Sequence, residues 1–257
     1  MKAEPFAEEE LQCSDFLGGR VRLWQPREGY RAGIDPVLLA ATVPAKPGQS
    51  VLELGCGAGP ALCCLGARVA GLHLTGLEIQ PAYAGLARRN LAENQLAGEV
   101  IEGDIAAPPL ALKALTVDHV IANPPYFEIE SRSVASDVGR EMALAGPAPL
   151  ADWVRLAAKR LRAKGTATFI QRAERLPELL AAMQEGLGSL ELWPLAPRVG
   201  RAPRLIFARG RKGGRAAFRL HAPLILHSGP AHIEDGEDYT DVIRTVLRGG
   251  DALNFPP

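Results

Sequence analysis

From Ser50 onward, short apolar runs alternate with longer segments of helical period, and that alternation predicts the architecture. Val51-Leu52-Glu53-Leu54 reads as a short buried strand and Leu72 to Glu78 as a second. Pro81 opens a helix whose apolar stripe is Tyr83, Leu86, Ala87 and Leu91, with Arg88, Arg89 and Glu93 turned outward. Glu99 to Glu102 and Asp118 to Ala122 are two further strands. A helix from Leu150 buries Trp153, Val154, Ala157 and Leu161 and is expected to end at Gly165, with the strand Thr166 to Ile170 after it. Strands separated by helices imply a parallel sheet covered on both faces. Upstream, Asp15 to Trp24 predicts a hairpin turning at Gly18-Gly19. Asp35 is expected to cap a helix whose first residue is Pro36. After Leu190 the strand-like runs at 190–193, 204–208 and 216–226 predict antiparallel strands finishing the sheet edge. Three units result: a hairpin-and-helix preamble over 1–47, an α/β domain over 48–215 and an extension over 216–257.

Composition narrows the class. The 257 residues, 47% of them hydrophobic, suit one large α/β domain with small additions and exclude global disorder. Arg68 interrupts the apolar stretch after residue 60, so no membrane span is expected. Lys2 is followed by Glu4, Glu8, Glu9 and Glu10, which does not suit a secretory leader. Cys13, Cys56, Cys63 and Cys64 form no CxxC pair and have no matching histidine spacing. They read as reduced, buried thiols of a cytoplasmic protein without metal. His73, His119, His221, His227 and His232 show neither ligand nor triad spacing.

The 29 Lys and Arg balance 29 Asp and Glu, yet the balance hides segregation. Leu192 to Ile233 holds no acid, while Arg198, Arg201, Arg204, Arg209, Arg211, Lys212, Arg215 and Arg219 all lie there. Acids return at Glu234, Asp235, Glu237, Asp238 and Asp241. A one-sign block of this kind faces phosphates or forms a solvated rim.

Four constellations carry candidate chemistry. Glu53-Leu54-Gly55-Cys56-Gly57-Ala58-Gly59 joins a strand to a helix, and its glycines let the backbone approach a ligand. A dinucleotide fingerprint needs glycine at position 60, where this chain has Pro60. The GxGxG spacing with an acid before it suits a ligand bearing an ammonium group. Glu78, at the next strand end, can accept from ribose hydroxyls. Asp104 can accept from an adenine amino group while Ile105 covers the ring. Asn123-Pro124-Pro125-Tyr126 describes a socket for a planar NH₂ group: two carbonyl acceptors grip the amine and Tyr126 stacks on the ring.

The order Glu53–Gly59, Glu78, Asp104, Asn123–Tyr126 resembles a class I S-adenosylmethionine-dependent methyltransferase carrying the amino-methylating NPPY motif. That resemblance implies a Rossmann-like α/β fold with a seven-stranded, mostly parallel sheet whose last strand is antiparallel. Tyr30 to Asp35, the Pro194–Gly214 segment with its Arg-Lys-Gly-Gly, and the tail from Tyr239-Thr240 to Gly249-Gly250 resemble the bacterial tRNA(Val) adenine-N6 methyltransferase family. By this likeness Glu53, Gly55, Gly57 and Gly59 hold the methionine part of S-adenosyl-L-methionine, Glu78 its ribose, and Asp104 with Ile105 its adenine. Asn123, Pro124, Pro125 and Tyr126 are then catalytic, and Phe127 widens the stacking platform. RNA, tRNA above all, is the expected partner through segment 198–219, with Arg209, Arg211 and Lys212 as contacts. Residues 128–148 are read as a substrate-gating loop. Asp35 either caps its helix or reaches the cofactor. Two alternatives share these residues: a protein glutamine N5-methyltransferase, whose substrate offers the same planar amide, and a catalytically silent RNA-binding module.

Overall fold

The computed structural model describes residues 4–29, 31–126, 148–231 and 238–257. Strands β1 (Leu11–Phe16) and β2 (Val21–Pro26) form the expected antiparallel hairpin, Phe16 opposite Val21. Its tip sits on the C-terminal segment: a Cβ on Gly18 would lie 2.8 Å from the carbonyl oxygen of Arg248. Arg20 donates to the carbonyls of Gly249 and Ala67. Helix α1 (Asp35–Ala41) buries every residue after its first. Asp35 is not the cap; Ile34 occupies that position and Pro36 is the second helical residue.

Next come β3 (Ser50–Leu54), α2 (Pro60–Arg68), β4 (His73–Glu78), α3 (Pro81–Glu93), β5 (Gly98–Glu102), α4 (Leu110–Ala114) and β6 (Val117–Ala122). After them run α5 (Leu150–Arg160), β7 (Leu161–Arg172), α6 (Leu176–Gly186), β8 (Gly188–Ala196) and β9 (Leu205–Arg211). The seven strands β3 to β9 lie in the order β8-β9-β7-β6-β3-β4-β5, and β9 alone runs against its neighbours. This is the α/β class I methyltransferase sheet that the resemblance implies.

Two details depart from expectation. Strands β10 (Arg219–Leu220) and β11 (Leu224–Ile225) enlarge the sheet to nine strands, and both pair parallel to β8. The run 216–226 therefore does not add antiparallel strands. The chain leaves β9 and reverses at Gly213, so residues 219–225 travel in the direction of β8 along its other edge. Helix α5 ends at Arg160 rather than Gly165. Leu161 already pairs with Val117, and the extra residues before the Thr166–His119 pair form a bulge in β7. Leu161 is buried as a strand residue instead of a helical one.

One core lies on the face covered by α1, α2 and the hairpin, with Val246, Leu253 and Phe255 of the C-terminal segment in it. The second lies beneath α5 and α6, around Phe169, Trp153 and Met183. No helix among the described residues is long and apolar enough to cross a membrane.

His119 crosses from β6 into a polar niche in this interior. Its Nε2–H donates to Gln49 Oε1 at 3.0 Å and its Nδ1 accepts from the Thr166 hydroxyl at 2.8 Å. Burial pulls the imidazole down to about 4, so it folds neutral, whereas the unfolded chain takes up a proton below about 6.5. Stability should therefore fall by on the order of 3 kcal/mol as pH drops from 6.5 toward 4. Urea unfolding of wild type and His119→Asn at both ends of that range checks this; parallel slopes would refute it.

Candidate active site

The motifs converge because four neighbouring parallel strands end together. Leu54 of β3 lies beside Ala122 of β6 and Leu77 of β4, and Glu78 lies beside Glu102 of β5. The residues just beyond these ends, Gly55, Asn123 and Asp104, therefore share one edge of the sheet with Glu78. Open parallel sheets bind ligands at this carboxyl edge.

Between β3 and α2 the backbone takes the left-handed conformation at Gly55, Gly57 and Gly59, with φ of 65°, 55° and 78°. Two of the three are separately explained. A Cβ on Gly55 would stand 2.6 Å from the Trp153 ring of α5, so this glycine admits a core aromatic. A Cβ on Gly57 would meet nothing within 4 Å, so this glycine borders open space. The loop is tied down by Cys56 N–H donating to Leu77 O and Gly57 N–H donating to Glu78 Oε2, both at 2.9 Å.

Glu53 is only 3% exposed, and its Oε2 has no hydrogen-bond partner among the described residues. Burial pushes its carboxyl well above the usual range; the nearby Glu78 charge adds to this and a backbone bond from Leu62 opposes it. Burial also raises Glu78, against bonds from the N–H groups of Gln80 and Gly57. Two buried acids with one orphaned oxygen suit a cationic, hydrogen-bonding ligand, because such a ligand would relieve both the desolvation and the missing partner. Asp104 is half-buried and accepts from Ala106 N–H at 2.9 Å. Ile105 is half-buried against the core, and Ile79, 45% exposed beside Glu78, offers a second apolar surface.

At the end of β6, Asn123 Oδ1 is buried and without a partner among the described residues. The Pro124 carbonyl accepts from Gln171 Nε2 at 3.3 Å, and the Pro125 carbonyl from Arg175 at 3.3 Å. The Tyr126 hydroxyl donates to Asp35 Oδ2 at 2.6 Å, and the Arg172 guanidinium lies 5.5 Å from the Tyr126 ring centre. Asp35, Gln171, Arg172 and Arg175 are thus part of the surroundings of this motif, and none is singled out for it by the sequence. Gln171 has a legible signal, a fully buried polar residue ending an apolar strand. Phe127 and residues 128–147 of the expected gating loop lie outside the described residues.

The basic block does not form one surface. Arg209 pairs with Glu191 at 2.9 Å and covers the Phe255 ring at 3.9 Å. Lys212 Nζ donates to Leu161 O at 2.8 Å, and Arg198 is taken up by Asp238 and the carbonyls of Ser228 and Gly229. Arg211 is exposed but lies opposite Thr166, about 13 Å along the strands from Asn123 at ~3.3 Å per residue. The antiparallel course of β9 causes this scatter, carrying the chain from the carboxyl edge to the far one. Arg201 and Arg204, exposed before β9 begins, stay near the carboxyl edge, where Arg204 O accepts from Ala173 N–H at 2.9 Å. Among the described residues no group of three or more His, Cys, Asp or Glu could hold a metal.

Comparison with known proteins agrees with this layout. Residues 33–190 match the family described as methyltransferase small domain. The chain is 30% identical over 165 residues to a tRNA1(Val) (adenine(37)-N6)-methyltransferase of Actinobacillus succinogenes, covering 62% of this chain and 68% of that protein. A protein of the same name from Porphyromonas gingivalis is 29% identical over 209 residues, 77% of this chain and 81% of its own length. A crystal structure from Agrobacterium tumefaciens, titled a predicted O-methyltransferase, superposes with a TM-score of 0.70 at 27% identity, covering 86% of this chain and 99% of that one. With the sheet order, the glycine loop and the matched span agreeing, the chain belongs to the methyltransferase small domain family and is an S-adenosylmethionine-dependent methyltransferase.

Proposed function

We propose that this enzyme methylates the exocyclic N6 amine of an adenine in RNA, with tRNA the favoured class. The observation that carries the reading is Asn123 Oδ1, buried and without a partner among the described residues, next in the chain to the Pro124 carbonyl. Two acceptors at a strand's carboxyl edge match the two N–H bonds of a planar amine. Glu53, Gly55, Gly57 and Gly59 would hold the methionine part of the cofactor, Glu78 the ribose, and Asp104 with Ile105 the adenine. Once bound, the cofactor supplies an electrophilic methyl group on a sulfonium sulfur.

The chain's own task is placement. The lone pair of an adenine amine is delocalised into the ring, so the free amine is a poor nucleophile. Acceptance of both N–H bonds by Asn123 and Pro124 favours a pyramidal nitrogen and stabilises the positive charge that develops on it. Gln171 occupies one lone pair of the Pro124 carbonyl and orients the other. Tyr126 supplies a face for the base. An amide and a peptide carbonyl are too weakly basic to keep the proton, which passes to water. A base that must reach this socket has left its stack or lies in a loop.

The rim favours RNA over a glutamine-bearing protein. Arg172, Arg201 and Arg204 lie around the ends of β6 and β7 and the start of β9, where a nucleotide's phosphates would run, with Arg175, paired to Glu178 at 2.8 Å, behind them. The names of the curated relatives point the same way. Incubation with labelled S-adenosylmethionine and unmodified total tRNA, followed by nucleoside analysis, tests the reading. N6-methyladenosine supports it; label in N2-methylguanosine, or no label in RNA once cofactor binding is confirmed, moves the substrate elsewhere.

Glu53 adds a pH signature. A raised carboxyl that meets the cofactor's ammonium must lose its proton on binding, so affinity should rise as pH increases through its elevated range. Calorimetry over a series of pH values above the ordinary carboxylate range should show binding that tightens with pH for wild type and a flatter profile for Glu53→Gln. Equal slopes would remove Glu53 from the cofactor site.

A further inference from the structure

Asp35 lies 91 residues from Tyr126 in sequence, yet its carboxylate accepts the Tyr126 hydroxyl at 2.6 Å. That is the one hydrogen bond of this carboxylate among the described residues. It caps nothing, since Ile34 holds the cap position of α1. The six residues after Asp35 are buried, Val37 to Ala41 of them in the core on the α1 face, so the carboxylate stands on a fixed base. The chain just before it is tied as well: Ala32 N–H donates to Oε1 of Gln25, a buried residue of β2, at 2.8 Å.

From β2 the same frame reaches the glycine loop. Asn90 of α3 is fully buried; its Oδ1 accepts from Trp24 N–H at 2.8 Å, and its Nδ2 donates to Trp24 O and Ala58 O, each at 2.9 Å. The hairpin and α1 are thus bonded at one end to the loop after β3 and at the other to the aromatic ring after β6.

We propose that Asp35 is a positioning residue for methyl transfer, fixing the plane of the Tyr126 ring through its hydroxyl. The proposal rests on the reading that the target base stacks beside Tyr126. The hydroxyl is the side-chain group farthest from the backbone, so an anchor there holds the first side-chain torsion; because a phenolic O–H lies near the plane of its ring, a fixed acceptor also favours one ring plane, and a carboxylate acceptor makes the bond a strong one. A ring so held presents one face in one orientation. A base stacked on it arrives with its amine at the Asn123 and Pro124 acceptors, and small misplacements there cost rate steeply.

The test uses the 257-residue enzyme with unmodified tRNA and five variants. Asp35→Ala and Tyr126→Phe should each lower kcat by about tenfold, with cofactor affinity and melting temperature held. The double variant should match either single one, because both remove the same bond. Asp35→Asn, which keeps an acceptor oxygen, should recover most of the rate. Fluorine NMR of enzyme labelled with 3-fluorotyrosine gives a readout apart from activity: the Tyr126 line, assigned by its loss in Tyr126→Phe, should move in Asp35→Ala and return toward its place in Asp35→Asn. Asp35→Ala at the wild-type rate, a double variant slowed by the product of the two losses, or a rate loss that tracks a lowered melting temperature would overturn the proposal. Tyr126→Ala separates the underlying reading. If it works at the wild-type rate, the base does not stack there and the placement fails with the proposal. If it is inactive while Asp35→Ala is unaffected, Asp35 alone is excluded.

Discussion

Asn123→Ala is expected to lower kcat by about 10²- to 10³-fold while the affinity for S-adenosylmethionine stays within a small factor of wild type. The effect is large because the side chain's oxygen is buried and, among the described residues, has no partner, which suits an acceptor kept for the substrate amine. Removing an acceptor that meets charge only as the reaction proceeds costs rate rather than ground-state binding. Affinity should hold, since the groups assigned to the cofactor lie on β3, β4 and β5 and the loops after them, and Asn123 follows β6. Turnover under saturating cofactor, with affinity measured separately by calorimetry, checks both halves. Wild-type turnover would remove Asn123 from the chemistry, and a parallel loss of affinity would make it a cofactor residue.

The second large effect separates two glycines that sequence treats alike. Gly55→Ala places a Cβ 2.6 Å from Trp153 and forces φ of 65° on a residue that avoids it. Left-handed strain of about 1–2 kcal/mol and overpacking of about 1–3 kcal/mol should together lower stability by about 2–5 kcal/mol. Thermal unfolding should show a drop of on the order of 10 °C. Gly57→Ala carries only the strain, because its Cβ enters open space, so its melting point should fall by a few degrees. Its main loss should be in cofactor affinity, by about tenfold or more, since that open space lies on the loop the ligand must approach. Equal melting points for the two variants would refute the division of labour, as would full cofactor affinity in Gly57→Ala.

Much of this site is legible without coordinates because it is built from contiguous stretches. A strand end followed by GxGxG, an acid at the next strand end and Asn-Pro-Pro-Tyr at a third are local patterns, and parallel strand order then brings them to one edge. Helix α6 is a signal that the strand-and-motif pattern passes over: Leu179, Ala182 and Met183 have helical spacing and are its buried face. The boundary of α5 is not legible, because Leu161 suits a helix stripe and a strand equally well. Its pairing with Val117 decides between them.

The basic block shows the opposite case. Along the chain it is one run of positive charge, but β9 runs antiparallel and its alternate side chains face different neighbours. Arg209 is drawn to Glu191 and Phe255, Lys212 to a backbone carbonyl, and only some arginines remain exposed near the carboxyl edge. Linear charge records no direction, so it could not separate the two ends.

The sequence by itself determined the fold class and displayed the glycine loop and the Asn-Pro-Pro-Tyr motif whose order carries the resemblance to S-adenosylmethionine-dependent methyltransferases, because each is a contiguous stretch whose local geometry its own residues dictate. Tertiary structure alone decided what surrounds the motif: Asp35 on Tyr126, Gln171 on Pro124, Arg175 on Pro125 and Trp153 on Gly55. Those partners stand some 50 to 100 residues apart in the chain, and only the packing of α1, α5 and β7 around the sheet brings them within bonding distance.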